Sequence, residues 1–281
     1  MLNMITDYHT HSTFCDGKDS PASMAESAFR KGVSVFGFSS HGMYPFSSPW
    51  HIPSKDYAAY CNEIRRLKAE YEGRMDILLS FEADYISGIC TPSMESYKLF
   101  KPDYLIGAVH FLQTQEGIFA VDGSAENVKA GIEKHFKGNG KAAVCEYFSL
   151  QREMLCKGDF TVWAHPDLVR KRNSVLNFFS EDESWYKDEL YATAKEAKKA
   201  GVVAEINTGA ISRGAMDDVY PSSQFLSILH DHGIPVTFSS DSHEKGTIAF
   251  AFDRAAKAAK KAGYTEVVYI DRDKNIKSMA F

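Results

Sequence analysis

Residues able to bind a metal recur along this chain at one kind of place, the end of a short apolar run. The run at residues 4–9 ends in His9-Thr10-His11, with Asp16 in the loop that follows. The run at 33–39 leads to His41, that at 77–83 carries Glu82 with Asp84 just beyond, and that at 104–109 leads to His110. The run at 160–164 is followed by His165-Pro166-Asp167, and the run at 234–238 by Asp241-Ser242-His243. The run at 202–206 differs, ending in Asn207-Thr208. On a strand, side chains alternate with period two, so a His-x-His pair puts both imidazoles on one face, where they can grip a single ion. Imidazole and carboxylate together suit Zn²⁺, Fe²⁺ or Mn²⁺, and the absence of cysteine from the set argues against a structural zinc site. A single histidine at a strand end is ordinarily a hydrogen-bonded or partly exposed residue. Six of seven run ends behaving alike point instead to a metal-dependent hydrolase.

The elements that must position these residues are legible. Each run is short, rich in Val, Ile or aromatic residues, and apolar on both faces, as expected of parallel strands covered on each side. Ser20 is placed to cap a helix with Pro21 at its first position, ending at Gly32. Ser54 is placed to cap a second, running through Tyr60, Ile64 and Leu67 to Gly73. Residues 183–200 carry lysines in their last turns before Gly201, and residues 251–262 repeat the pattern before Gly263. Residues 127–156 read as a helix broken near Gly138-Asn139-Gly140, then another. Seven strand-like runs alternating with helices predict a single α/β domain over residues 1–281, an α/β barrel or a doubly wound sheet, and no Pro-, Gly- or Ser-rich linker divides it. In a parallel barrel all strand carboxyl ends open on one face, so donors scattered along the chain converge in one pocket.

Composition bounds the partners. Hydrophobic residues at 44% and charged residues at 25% are ordinary for a globular chain with a sizeable core. A formal charge of −5 offers no basic footprint, so no nucleic-acid polymer is expected. No stretch approaches the roughly 20 apolar residues of a membrane span, and residues 1–7 lack the basic and apolar regions of a signal peptide. The five cysteines are scattered without CxxC spacing, which fits reduced thiols and a cytoplasmic location. Of the remaining histidines, His135 falls on a helix face. His230 and His232 sit late in a helix, where positions two apart point in different directions, and read as solvated surface. His51 could reach the pocket mouth or pack in its loop.

Taken together, His9-Thr10-His11, Asp16-Gly17, His41, Glu82, His110, Ala164-His165-Pro166-Asp167 and Ser240-Asp241-Ser242-His243 resemble the PHP (polymerase and histidinol phosphatase) family. The resemblance runs from about residue 5 to about residue 250. It is closest to the monofunctional histidinol-phosphate phosphatases, which share a segment similar to Glu205-Ile206-Asn207-Thr208, an Arg like Arg213, and a pair like Tyr220-Pro221. Ser40 departs from the pattern, since Asp often precedes this histidine in the family. The resemblance implies a distorted TIM-like barrel of seven β/α units and three divalent ions (Zn, Mn or Fe). It assigns His9, His11, Glu82 and Asp241 to one ion, Glu82, His110 and His165 to a second, and Asp16, His41 and His243 to a third.

Three divalent ions bring six positive charges, of which Asp16, Glu82 and Asp241 remove three and a hydroxide one more. Roughly two positive charges then remain to meet a phosphate dianion. The chemistry this implies is direct attack of a metal-bound hydroxide on phosphorus without a phosphoenzyme, because a bound ion lowers the pKa of water from about 15.7 towards 7. Glu82, Asp241 and His243 are the catalytic candidates, with Asp241 or a neighbouring histidine assisting proton transfer to the leaving group. Arg213 is the leading phosphate clamp because a guanidinium fork matches phosphate oxygens. Arg170, with Lys171 and Arg172, follows the fifth run and is either a second clamp or solvated surface. Asn207 is a candidate for orienting substrate or a water, and Glu205 for an interior structural acid. The expected substrate is L-histidinol phosphate, a small phosphate ester. Tyr44, Phe46, Trp50, Phe111 and Phe119 offer aromatic surface for its imidazole and Glu116 a charge for its amine, unless these aromatics only pack the loops. The alternatives are a broader phosphoesterase acting on nucleotides or other small esters, and a non-catalytic metal-binding regulatory domain.

Overall fold

The computed structural model describes residues 4–42, 44, 46 and 48–281, so the first three residues of the stretch read above for a signal peptide lie outside it. The strands are β1 (Ile5–Asp7), β2 (Val33–Phe38), β3 (Asp76–Leu79), β4 (Glu82–Asp84), β5 (Ile106–Ala108), β6 (Phe111–Thr114), β7 (Gly117–Ala120), β8 (Val162–Trp163), β9 (Val203–Asn207), β10 (Val236–Ser239), β11 (Glu266–Ile270) and β12 (Ile276–Ala280). The helices are α1 (Pro21–Arg30), α2 (Tyr57–Glu70), α3 (Ala125–Phe136), α4 (Gly140–Lys157), α5 (Asn173–Leu176), α6 (Ser184–Ala200), α7 (Gly209–Ser212), α8 (Ser223–Asp231) and α9 (Phe252–Ala262).

Each of the seven apolar runs contains a strand, and all of these strands pair in parallel. They form a three-stranded sheet in the order β1-β2-β3 and a five-stranded sheet in the order β10-β9-β8-β5-β4. The third run supplies both β3 and β4, broken at Ser80-Phe81, and so passes from one sheet to the other. Parallel bridges Thr10↔Ser242 and His41↔Glu82 join the sheets where the strands end. There His11 N donates to Ser242 O at 2.8 Å and Gly42 N to Glu82 O at 2.8 Å. The chain is therefore an α/β fold, with two short parallel sheets rather than one uninterrupted ladder.

Local signals explain most helix ends. The Ser20 hydroxyl accepts from Ser23 N at 3.3 Å with Pro21 at the first position, and Asn139 caps α4. Gly201 and Gly263 end α6 and α9 at φ of 70° and 107°, a left-handed region open to glycine. Ser54 does not cap α2 as expected. It opens a single 3-10 turn, Ser54–Asp56, and α2 begins without a side-chain cap. Two hairpins were not expected. β6 and β7 pair antiparallel directly after His110, and β11 and β12 pair at the carboxyl end. The second hairpin docks on β1's end, where the Tyr8 hydroxyl accepts from Ile270 N at 2.9 Å and donates to Ile270 O at 3.2 Å.

Helices cover the outer faces of the sheets. Trp163, Tyr147, Phe148, Tyr186 and Phe225 anchor one core, and Phe36, Tyr60, Ile64, Leu67 and Phe81 another. A third cluster joins Tyr8, Val35, Leu78, Tyr104, Ile106, Ala108, Val162 and Ala164, side chains contributed by strands of both sheets. Gly37 is required beside it, because a Cβ there would collide with the Tyr104 hydroxyl, which donates to the Tyr8 carbonyl. Among the described residues no helix is long and apolar enough to cross a membrane.

Candidate metal centre

The ends of β1, β2, β5, β8 and β10 and the start of β4 open on one site. Glu82, the first residue of β4, lies at its middle and is 1% exposed. Its Oε2 is 3.1 Å from His9 Nε2, 3.1 Å from His41 Nδ1 and 3.5 Å from His11 Nε2. Its Oε1 is 3.0 Å from His165 Nε2 and 3.3 Å from His110 Nε2. Five imidazoles from four run ends thus surround one carboxylate. His9 and His11 share a face as their spacing requires, with ring centroids 5.2 Å apart.

The remaining expected donors complete the set. Asp241 Oδ1 lies 3.3 Å from His11 Nε2 and 3.8 Å from His9 Nε2. Asp16 Oδ2 is 3.2 Å from His243 Nε2, and Asp16 Oδ1 is 3.9 Å from His41 Nε2. The donors fall into overlapping groups compact enough for an ion: His11, Asp16, His41 and His243; His9, His11 and Asp241; His9, Glu82 and His165; His41, Asp84 and His110. All nine expected ligands are therefore brought together. Asp84 was not among them. It holds His110 from behind, accepting from Nδ1 at 2.8 Å and from the backbone N at 3.1 Å.

The donor set fits divalent cations. His9 Nε2 and His11 Nε2 are buried, face carboxylate oxygens, and have no hydrogen-bond partner. Burial opposes ionisation of Glu82, but His9, His41 and His110 outweigh it and hold the carboxyl well below the usual range. Burial likewise opposes ionisation of Asp241, and the Arg213 guanidinium with His9 overcomes it. Burial, aided by His243 and His41, drives His11 down to about 3, whereas Asp84 and Glu82 overcome burial and lift His110 to about 10. Ionised carboxylate and neutral imidazole are the forms that ligate metal, so His11 is ready to ligate, whereas His9 and His110, raised against burial by the acids around them, would release a proton when an ion binds. His165 and Asp241 also hold positive φ, 24° and 51°, backbone strain that tends to persist where a functional geometry requires it.

A cavity of about 450 Å³ opens above the cluster, lined on one side by Asp16, His41, Glu82, His110, His165, Asp241 and His243. Arg213 lines it, donating to Asp241 Oδ2 at 2.7 Å and to the Asp241 carbonyl at 2.8 Å. Trp50 and Phe111 line it with their rings stacked 6.0 Å apart. Asp122 and Lys171 pair at 3.1 Å on its wall. Arg170 corrects an expectation. It does not line the cavity but turns into Asp167, Glu181 and Asp218 at 3.5, 2.8 and 2.9 Å. The two neighbours lie on one 3-10 turn, Leu168–Arg172, and point differently, so the cation on the cavity is Lys171. Asn207 likewise does not line the cavity; it donates to Glu205 Oε1 at 2.7 Å and accepts from Gly209 N at 2.8 Å. Glu116 is exposed, and Phe119 packs on α3 against His135, with ring centroids 4.9 Å apart. His51 is buried against His41, at 6.0 Å between ring centroids. Asp84 is visible in the sequence at the end of its run but without an assigned role, and Asp122 carries no signal that distinguishes it from an ordinary loop acid.

Comparison with known proteins agrees with this geometry. The PHP domain family matches residues 7–209. A Deinococcus radiodurans protein named "Probable histidinol-phosphatase" is 26% identical over 271 residues, covering 95% of this chain and 97% of its own. A histidinol phosphatase candidate from Listeria monocytogenes superposes with a TM-score of 0.79 at 21% identity, over 88% of this chain and 98% of that one. A histidinol phosphate phosphatase from Lactococcus lactis, solved with zinc, L-histidinol and phosphate, superposes with a TM-score of 0.71 at 19% identity, over 97% of this chain and 98% of that one. At such identities the two superpositions speak for the fold.

Proposed function

The chain belongs to the PHP domain family, and from that membership we propose that it is a metal-dependent phosphomonoesterase hydrolysing L-histidinol phosphate to L-histidinol and phosphate. The observation that carries the reading is the encirclement of Glu82 by imidazoles of His9, His11, His41, His110 and His165, all within 3.5 Å. The choice of substrate follows the nearly end-to-end similarity to a protein named for that activity.

Three divalent ions are proposed, with His9, His11, Glu82 and Asp241 around one, Glu82, His110 and His165 around a second, and Asp16, His41 and His243 around a third. Ions in this cage supply acidification of a water at neutral pH and neutralisation of the phosphoryl oxygens. Glu82 belongs to two of these sets and would hold both ions. Glu205 and Asp84, which contact His9 and His110, cancel the surplus of roughly two positive charges expected when only the ligand acids are counted. Arg213 on the cavity wall must therefore draw the phosphate dianion in and orient it, while Lys171 beside it is balanced by Asp122 until phosphate competes for its ammonium. Asp241 and His243 border the same cavity and are the groups placed to pass a proton to the departing alcohol. Trp50 and Phe111 present an aromatic wall to the leaving group's ring.

We also propose that the two parallel sheets act as one distorted seven-stranded β/α barrel in a single domain, 1–281. The bridges Thr10↔Ser242 and His41↔Glu82 and the cluster around Tyr8 and Tyr104 support this. The five unpaired cysteines support a cytoplasmic location. A phosphate-release assay on metal-loaded protein tests the function. The expected result is a kcat/KM for L-histidinol phosphate at least about 100-fold above that for nucleotides and other small esters, a discrimination of roughly 3 kcal/mol. A preference of several orders for another ester overturns the substrate, and no release from any ester overturns the enzyme.

A further inference from the structure

One fully buried carboxylate enters the account above only as a charge. Glu205, the third residue of β9, does not line the cavity. Its two oxygens lie 3.0 and 3.2 Å from His9 Nδ1, and Oε1 also accepts from His165 N at 2.8 Å and from Asn207 Nδ2 at 2.7 Å. The backbone amide and the carboxamide nitrogen are obligate donors, so this carboxylate is an acceptor in every contact it makes. His9 Nδ1 must then carry a hydrogen, and a neutral His9 presents the lone pair on Nε2. That nitrogen is buried, without a hydrogen-bond partner, 3.1 Å from Glu82 Oε2 and 3.8 Å from Asp241 Oδ1. A lone pair held between two carboxylates is repulsive unless a metal ion, or in its place a second proton on that ring, stands among them.

We propose that Glu205 is a positioning residue that fixes the Nδ1–H tautomer of His9 and, through the amide of His165, the strained backbone that aims a second histidine. One buried charge thereby couples ligands from β1 and β8. Asp84 does the first of these things for His110 alone, through Nδ1 and its own backbone amide. A carboxylate behind a ligating imidazole raises its basicity and fixes its orientation. The proposal rests on His9 being a metal ligand.

Glu205→Gln tests it, because the carboxamide keeps the shape and an acceptor for His165 N but turns an NH₂ towards His9 Nδ1. That favours the Nε2–H tautomer and closes the ligating nitrogen. Zinc competition against a chromogenic chelator should show at least one equivalent bound roughly 10–100-fold more weakly than in the wild type. The Tm of the chelator-stripped variant should match or exceed that of the stripped wild type. Unchanged zinc affinity, or an equal loss of Tm in stripped and loaded protein, would overturn the proposal, the second by making Glu205 purely structural. Long-range ¹H–¹⁵N spectra of the zinc-loaded wild type read the tautomer without any substitution at Glu205. An Nδ1–H pattern for His9 is expected, and an Nε2–H pattern excludes the proposed role. A wild type that binds no zinc instead overturns the metal centre itself.

Discussion

Arg213 grips Asp241 by two groups at once, donating from Nη2 to the carboxylate at 2.7 Å and from Nη1 to the backbone carbonyl at 2.8 Å. The proposed phosphate clamp is thus also the partner of a proposed metal ligand, and it holds the residue whose φ is 51°. Arg213→Ala should lower kcat/KM by about 10²–10³, as loss of one preorganised charge donor does. Arg213→Lys should recover little, since an ammonium cannot span both oxygens. Steady-state kinetics on both variants checks this; full rescue by lysine would refute the two-pronged role.

Gly209 lies against that pair. A Cβ at this position would fall 2.6 Å from Arg213 Nη2 and 2.8 Å from Asp241 Oδ2. Gly209→Ala should therefore displace the clamp and reduce kcat by roughly 10²-fold, the scale of a misplacement near 1 Å. A crystal structure of the variant should show the two side chains parted.

Removing Glu82 should disperse the cluster. Glu82→Ala is expected to abolish phosphatase activity and leave less than one metal equivalent by elemental analysis of the purified protein. Chelation of the wild type should abolish activity reversibly. Full activity after either treatment would contradict the metal-dependent reading.

Arg170 and Lys171 should separate stability from function. Arg170→Ala strips a buried guanidinium from Asp167, Glu181 and Asp218, and breaking a buried pair costs about 3–5 kcal/mol, so Tm should fall steeply. Lys171→Ala removes one buried ion pair instead of three, so Tm should fall less, and KM for phosphate esters should rise. Thermal melts and kinetics on both variants decide it, and the opposite pattern would return Arg170 to the substrate.

The carboxyl-terminal hairpin should loosen in acid. Lys277 and the Asn275 amide hold the Asp271 carboxyl at about 2, below its ordinary 3.8. A depressed acid stabilises above its unfolded pKa, and that contribution is lost as pH falls from about 4 towards 2. Protection factors at Tyr269 and Asp271, corrected for intrinsic exchange, should fall over this window in the wild type, and the fall should vanish in Asp271→Asn.

The strand-end donors were readable before any fold, because period-two alternation and the shared direction of parallel strands dictate where residues such as His9, His110 and Asp241 must meet. The seven runs and most helix caps followed from equally local physics, as at Ser20 and Gly201. The hairpin after His110 escaped, since its strands alternate only partly and are short. So did the break at Ser80-Phe81, where a continuous apolar run serves two sheets. What tertiary structure alone decided lies one layer out. Arg170 and Lys171 are neighbours in one basic cluster, yet only packing against Asp218 and Asp122, dozens of residues away, sends one inward and the other to the cavity. Glu205 reads as an interior acid until its contacts to His9 and His165 are seen, contacts that span 196 and 40 residues. A sequence specifies which donors a strand presents; which of their lone pairs faces inward depends on partners that only the folded chain brings within hydrogen-bonding distance.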